Sequence, residues 1–392
     1  MRTTTRTLLA AALVLGVAAG PALTPAFAAP GPAISASASA SATLTPDLSA
    51  VIAGLPRADA TAALVRVGGT EGSWQGSAGV HDLETNAPAD PAARFRAGSV
   101  TKVFTAATVL QLAAEGRIDL DRPARAYLPD LIPGRYATVT VRQLLNHTHG
   151  IPAADMPGET VEEWYANRFV VHTPEELVRS ATAQPREFRP GTKQHYLNIG
   201  YTIAGLIVER VTGDSYEHQV ERRILRPLGL RDTYLPGRDP EIRGPHNHGY
   251  QTMRLDDGST GLRDVSVWGV TDGWAAGDLV STTADLERFT RALFKGRVVR
   301  GPLLEEMFTL PKVSDLSSGD PAAYSAGLSM KRLGGREVWG KTGGRWGYNT
   351  AIASTRDGSR TLVYSVNATD AKGQEMNPTA LRLMVAAYGL PD

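Results

Sequence analysis

Cysteine is absent from this chain of 392 residues. Without it, neither a disulfide nor a zinc–thiolate site can form, so stability must come from an apolar core. An excess of either charge is also missing, since 41 Lys and Arg residues face 40 Asp and Glu residues and no basic block occurs. This balance argues against a nucleic acid partner. An apolar content of 42% is ordinary for a globular protein, and the length allows one large or two medium-sized domains.

Long apolar runs are missing except at the N-terminus. Two arginines precede an apolar run at 8–20, and Ala26-Phe27-Ala28 fits a signal-peptidase site. Because the run is too short to span a bilayer, residues 1–28 are predicted to be a secretory signal peptide; an uncleaved signal that anchors the chain is the alternative. We therefore expect a secreted, extracellular protein with no stable membrane anchor after cleavage. Residues 29–43, rich in Ala and Ser, are predicted to form a flexible linker.

Strand patterns occur near both ends of the remaining chain, with helix patterns between them. Apolar residues recur at helical spacing between Pro- and Gly-bearing loops, which predicts a mainly helical lobe at 117–270 within one catalytic domain at 44–392. The fold class is therefore α+β, in which one antiparallel sheet from both chain ends is flanked by helices beside the helical lobe. The predicted strands are 61–67, 74–80, 324–333, 336–342, 349–354 and 361–366, and the predicted helices are 141–147, 175–183, 199–211, 216–225 and 378–388.

The candidate nucleophile is Ser99, three residues before Lys102. A serine hydroxyl needs a proton acceptor within hydrogen-bond reach, and lysine can serve only when its amine is uncharged. Apolar residues from Val100 onward follow helical spacing, and Gly116 is a suitable C-terminal stop. At the start of this helix, Ser99 and Lys102 would share one face. The unpaired N–H groups of the helix end would point to where negative charge develops as an acyl group is attacked.

Two further segments carry chemically suitable residues. Tyr196 and Asn198, spaced by one residue before an apolar helix, would point the same way. Tyr196 could then pass a proton while Asn198 holds a substrate carbonyl or the lysine head. The stretch Lys341-Thr342-Gly343-Gly344 offers a cation, a hydroxyl and bare backbone along one strand, which suits an anionic, extended substrate. Taken singly, Tyr196 could be a core aromatic and Lys341 a solvated surface residue.

Together, Ser-x-x-Lys, Tyr-x-Asn and Lys-Thr-Gly, in this order, resemble the serine penicillin-recognising enzymes, which are D,D-peptidases and serine β-lactamases. The flanking words FRAGSVTK at 95–102, TVRQLLNHT at 140–148, PLGL at 227–230 and LVST at 279–282 are similar to one branch. This branch holds D-alanyl-D-alanine carboxypeptidases, class C β-lactamases and related esterases, and the likeness is greatest to the secreted Streptomyces D,D-carboxypeptidases/transpeptidases. The resemblance runs from about residue 44 to the C-terminus and implies a β-lactamase/transpeptidase-like fold.

The resemblance also implies roles for the matching residues. Ser99 would be acylated, Lys102 would help remove its proton, and Tyr196 would carry a proton to the leaving amine. Asn198 would position the substrate amide, while Lys341 and Thr342, with Gly343 beside them, would bind the substrate carboxylate. The N–H groups of Ser99 and Gly344 would form the oxyanion hole. The implied function is a secreted serine D-alanyl-D-alanine carboxypeptidase that binds penicillin and acts on peptidoglycan-type peptides. No metal or cofactor is expected, the partners are small peptides or β-lactams, and a monomer is expected.

The chain departs at several positions from the carboxypeptidases that it resembles. They carry histidine where this chain has Lys341, and an arginine that grips the terminal carboxylate stands roughly in register with Ser329; Lys331, Arg332 or Arg345 could replace it. His149 stands where serine is usual, and His195 precedes Tyr196. These differences leave a class C-like β-lactamase and a serine esterase as open alternatives, and whether Lys102 or Tyr196 is the acylation base is also open.

Other classes of function fit less well. A Ser-His-Asp hydrolase would be expected to carry a G-x-S-x-G elbow, which does not occur. His147-x-His149 and His246-x-His248 could be metal-binding pairs, but a third ligand and the H-E-x-x-H signature are missing. A non-catalytic muropeptide-binding homologue on the same fold is a further alternative, although its expected mark, a broken motif, is not present.

Overall fold

The computed structural model of the protein describes residues 48–156, 158–269, 271–373 and 375–390. The predicted signal peptide and linker lie outside these residues. The main sheet is six-stranded and antiparallel, in the order β2-β1-β12-β11-β10-β9. The described strands are β1 Ala60–Gly68, β2 Trp74–Gly79, β3 Phe95–Arg96, β4 Lys193–Gln194, β5 Tyr250–Arg254, β6 Thr260–Asp264, β7 Val280–Ser281, β8 Ser314–Asp315, β9 Ser329–Leu333, β10 Arg336–Arg345, β11 Tyr348–Thr355 and β12 Thr361–Ala368.

The two ends of the chain share this sheet because β1 pairs with β12, with Val65 opposite Tyr364. Every residue of β12 is buried, as expected of a central strand covered on both faces. Successive residues alternate between two cores: Val363 packs in the core on the α2 and α9 side, and Tyr364 in the core on the α1 and α11 side. The described helices are α1 Leu48–Ile52, α2 Thr101–Ala114, α3 Val141–Leu145, α4 Val161–Ala166, α5 Pro174–Ala183, α6 Ile199–Thr212, α7 Tyr216–Val220, α8 Arg226–Leu228, α9 Thr283–Phe294, α10 Pro302–Glu305 and α11 Pro378–Tyr388.

Local capping chemistry explains where several of these helices begin. Thr140, Thr160 and Thr173 each accept a hydrogen bond from a backbone N–H three residues later, and the Gln or Glu at that position bonds back to the threonine N–H. These capping boxes start α3, α4 and α5 in the segment between the two parts of the sheet. No helix among the described residues is both long and apolar enough to cross a bilayer.

The α+β prediction and the shared antiparallel sheet are confirmed, with differences in detail. The predicted hairpin exists, and both Gly334 and Gly335 have positive φ, as a primed turn requires. Its first strand begins at Ser329 rather than at residue 324, because the chain turns back there and Tyr324 forms an isolated bridge with Ser329. Sequence reasoning missed α4 and the hairpin of β5 and β6, which lies inside the segment predicted to be mainly helical.

Candidate active site

The segment that carries Ser99 is wedged between helix α2 and the main sheet. Strand β3 pairs with β7, and a 3₁₀ turn at Gly98–Val100 leads into α2. The predicted helix therefore begins at Thr101, and Ser99 lies in the turn just before it. From Phe95 to Val100, Ser99 is the one residue that is not fully buried. The fold thus leaves Ser99 partly exposed at the cleft and buries its neighbours.

Lys102 lies entirely inside the protein, with its amine directed at Ser99. Its Nζ is 3.1 Å from Ser99 Oγ and donates hydrogen bonds of 2.7 Å to Asn198 Oδ1 and to the Ala276 carbonyl oxygen. A neutral amine has two N–H groups and one lone pair. Because the two carbonyl-type oxygens use both N–H groups, the lone pair is left for the Ser99 hydroxyl.

The charge state of Lys102 follows from its burial. Burial holds the pKa of its amine well below the ordinary 10.5, and the positive charges of Lys341, Lys372 and Arg345 lower it further. No carboxylate forms an ion pair with this amine among the described residues. Both effects favour the uncharged amine, which is the form that can accept a proton.

The aromatic ring of Tyr196 packs against the amines of Lys102 and Lys341. Lys102 Nζ and Lys341 Nζ lie 5.0 and 4.7 Å from the centre of its ring. Its hydroxyl is buried and makes no hydrogen bond of normal geometry with a described residue, and the Ser99 hydroxyl acts to lower its pKa. Burial is the larger effect and raises the pKa of Tyr196 well above 10, so the phenol stays protonated.

The third predicted segment lies on β10, against the Ser99 turn. Lys341 is buried rather than solvated, its Nζ donates a 2.8 Å hydrogen bond to the Thr342 carbonyl oxygen, and burial lowers its pKa to about 7. A Cβ on Gly343 would lie 2.0 Å from the Ala97 carbonyl oxygen. Only glycine therefore allows the strand to approach this closely.

The same approach brings the two predicted oxyanion-hole amides together. A Cβ on Gly343 would also be 2.9 Å from the Ser99 nitrogen, and one on Gly98 would be 2.8 Å from the Gly344 nitrogen. The backbones of Ser99 and Gly344 are thus neighbours across the junction of turn and strand. The structure thereby places all the predicted site residues around one location, while their individual roles remain predictions.

The histidines that the sequence singled out have other contacts. His147 packs against Tyr196, with 4.4 Å between ring centres, and its Nδ1 accepts a hydrogen bond from the Leu197 N–H. His149 Nδ1 accepts from the Ile151 N–H, and burial lowers the pKa of this ring to about 3. The described residues contain no group of side chains arranged to hold a metal ion.

His195, the third unusual histidine, bonds through Nδ1 to Glu187 at 2.6 Å, and this contact raises its pKa. Of the cations considered as substitutes for the missing arginine, Arg345 makes two 2.9 Å hydrogen bonds to Asp272. Arg332 pairs with Glu337 on the surface. Neither arginine is therefore a free carboxylate receptor, whereas the third candidate, Lys331, lines the same groove as Ser329 and Lys341.

Sequence reasoning missed the wall of the cleft. A cleft of about 180 Å³ opens beside Ser99 and continues into a space of about 460 Å³. Trp164, Asp272, Arg345 and Lys372 line both parts. For the pair of Arg345 and Asp272, the only signal in the sequence is that Arg345 directly follows Lys-Thr-Gly-Gly. Lys372 stands in no recognisable motif.

A serine with a buried lysine one helical turn later, below the edge of an antiparallel sheet, defines the class of β-lactamase/transpeptidase-fold serine hydrolases. The chain belongs to the Beta-lactamase family, whose sequence profile matches residues 48–385. A D-stereospecific amidohydrolase from Streptomyces sp. is 34% identical, with a TM-score of 0.74 over 87% of this chain and 98% of that one.

Two more relatives are similar to the chain. The D-amino acid amidase from Ochrobactrum anthropi SV3, solved with D-phenylalanine, is 26% identical, with a TM-score of 0.70 over 87% of this chain and 99% of that one. Penicillin-binding protein 4* from Bacillus subtilis is 26% identical over 301 residues, which is 74% of this chain. The chain spans only 41–64% of the length of the curated relatives it matches.

Proposed function

We propose that the protein is a serine D-alanyl-D-alanine carboxypeptidase that hydrolyses D-Ala-D-Ala peptides through an acyl-enzyme on Ser99. The observation that carries this proposal is the position of Lys102: its amine lies between Ser99 Oγ and Asn198 Oδ1, and burial lowers its pKa and so favours the uncharged form. An uncharged base next to a hydroxyl is what acylation requires. We also propose, from the sequence of residues 1–28, that the enzyme is exported, and that it acts as a monomer.

The proposed reaction has two stages. Ser99 Oγ bonds to the substrate carbonyl carbon while its proton passes to Lys102, and the N–H groups of Ser99 and Gly344 receive the negative oxygen. The C–N bond then breaks, and the proton reaches the leaving amine through the Tyr196 hydroxyl. Water finally cleaves the ester, which releases the acid and restores Ser99. Because burial keeps Tyr196 protonated, we assign the base to Lys102 and the relay to Tyr196.

Charge in the cleft supports a substrate that bears a carboxylate. Lys372 and Arg345 line the cleft beside Ser99, and Lys341 Nζ lies 4.7 Å from the ring centre of Tyr196, whereas the facing Asp272 is already paired with Arg345. No free carboxylate lines the part of the cleft next to Ser99, among the described residues, to receive a substrate ammonium group. A D,D-peptide with a terminal carboxylate and an acylated amine suits this balance.

Hydrolysis of D-amino acid amides is the second candidate. The observation that favours it is the 34% identity to a D-stereospecific amidohydrolase over nearly all of that protein. Position 329 also favours this candidate. It holds a serine, whose hydroxyl donates to the Gly340 carbonyl oxygen, instead of an arginine, and an amide substrate has no terminal carboxylate for an arginine to bind.

One comparison of substrates separates the candidates. Release of D-alanine from an N-acylated D-Ala-D-Ala tripeptide is measured beside hydrolysis of D-phenylalanine amide, nitrocefin and p-nitrophenyl butyrate. We expect D-alanine release to dominate. Dominant amide cleavage would favour the second candidate, dominant nitrocefin hydrolysis a β-lactamase, and ester cleavage alone an esterase. Ser99→Ala is the matched control, and any rate that it retains does not come from the proposed site.

A further inference from the structure

Lys372 is a cation in the cleft that the reaction described above does not use. It lines the space beside Ser99 and also the adjoining larger space. Its positive charge reaches the reacting groups, since it helps to lower the pKa of Lys102. The side chain is mostly buried, and burial lowers its own pKa to about 8.

No described residue neutralises this ammonium group by a hydrogen bond or an ion pair. Three carboxylates line the adjoining space with Lys372, namely Glu159, Asp272 and Asp370. Of these, Asp272 acts on the pKa of Lys372, but both of its oxygens accept hydrogen bonds from Arg345. Arg345 lowers the pKa of Lys372, and this effect is stronger than the opposite effect of Asp272. A mostly buried charge without a partner is unfavourable, and an anionic ligand group would relieve this.

The backbone at Lys372 is fixed in place before a ligand arrives. The N–H of the preceding Ala371 donates to Gln251 Oε1, and the Ala371 carbonyl oxygen accepts from Asn349 Nδ2. Gln251 in turn donates to Asp370 Oδ1. Strand β5 and the start of β11 thus hold the backbone from which the Lys372 side chain extends.

Lys372 and Lys341 line different spaces near the reacting groups. Lys341 and Ser329 line a groove that does not include Ser99, whereas Lys372 lines the cleft that does. In the proposed reaction Lys341 faces the carboxylate of the leaving group. This leaves the acyl part of the substrate on the side of Lys372.

We infer that Lys372 is a specificity-determining residue that binds a carboxylate on the acyl part of the substrate. The inference rests on the proposed acyl-enzyme and names the substrate class more closely: D-peptides whose acyl portion ends in, or carries as a side chain, an anionic group. Apolar residues of the same cleft, such as Met156, Trp164 and Leu177, would contact the carbon chain between the carboxylate and the reacting carbonyl.

Two esters of nearly equal size test this inference. The acyl group of p-nitrophenyl hemiadipate ends in a carboxylate, and that of p-nitrophenyl hexanoate ends in a methyl group. We expect kcat/KM for the hemiadipate to exceed that for the hexanoate by on the order of tenfold, the value of one charge-assisted hydrogen bond. Lys372→Met should remove this preference through KM, and Lys372→Arg should restore most of it.

The ratio of the two rates within each variant cancels any general loss of active enzyme. Lys295→Met, which removes an exposed charge at the end of α9, is the matched control and should keep the wild-type ratio. An unchanged ratio in Lys372→Met, or a wild type without preference, would overturn the inference. Because release of p-nitrophenol needs no peptide substrate, a failure to release D-alanine would count against the proposed peptidase alone.

Discussion

Replacing Gly343 by alanine tests whether close contact between strand β10 and the Ser99 turn is needed for activity. The added Cβ would lie 2.0 Å from the Ala97 carbonyl oxygen, and real Cβ atoms essentially never come within 3.0 Å of such a neighbour. The strand and the turn must therefore separate by about 1 Å. Because both neighbours are backbone, no side chain can rotate away to relieve the contact.

A displacement of this size moves the amides of Gly344 and Ser99 apart. A misplacement of about 1 Å at a reacting centre costs on the order of 10²-fold in rate, whereas overpacking typically costs only about 1–3 kcal/mol of stability. We therefore expect Gly343→Ala to remain folded and to lose on the order of 10²-fold in kcat/KM for p-nitrophenyl butyrate.

The control is Gly134→Ala, where an added Cβ meets no atom within 4 Å and φ is ordinary. Rates are followed by release of p-nitrophenol, and folding by circular dichroism and urea denaturation. Full activity in Gly343→Ala would refute the claim that this contact aligns the two amides. If Gly343→Ala fails to fold, the contact is needed for the stability of the domain rather than for the alignment of the amides. In that case Gly98→Ala, which crowds the same junction, should also fail to fold.

Three further predictions concern the charges of the site. Lys102→Arg keeps a donor for Asn198 but cannot lose its proton, so acylation in stopped-flow measurements should fall by on the order of 10²–10⁴-fold; a near-wild-type rate would remove Lys102 as the base. Asp272→Ala leaves Arg345 buried and unpaired, and it should lower the free energy of unfolding, measured by urea denaturation, by about 3–5 kcal/mol. Replacing both residues by apolar ones should cost less than the sum of the two single changes, and additive values would contradict this. Lys341 and Lys372, with pKa values lowered to about 7 and about 8, lose their charge as pH rises through that range, so kcat/KM for an anionic substrate should fall there while that for p-nitrophenyl butyrate does not; parallel pH profiles would contradict this.

Elements governed by local chemistry could be predicted from the sequence. Ser99 and Lys102 stand at helical spacing, Gly334-Gly335 requires a primed turn, and the predicted strands at 349–354 and 361–366 lie inside β11 and β12. The three catalytic segments could be assembled because their order and flanking words resemble a family. In each case the information lies within a few neighbouring residues.

Features that depend on distant segments could not be predicted. Arg345 and Asp272 are 73 residues apart, and nothing in either local sequence indicates that they pair. Lys372 lies beside Ser99 only because β12 returns through the centre of the sheet. The burial that lowers the pKa of Lys341 was also missed, because a lysine at a strand end is usually solvated.

The most direct test of the central claim is to locate the covalent adduct formed with a β-lactam. Trypsin should release residues 97–102 as one peptide, since arginine and lysine occupy positions 96 and 102. The account predicts that this peptide carries the added mass, that fragmentation places it on Ser99 rather than on Thr101, and that Ser99→Ala gives no adduct. An adduct on any other residue, or one that persists in the alanine variant, would contradict it.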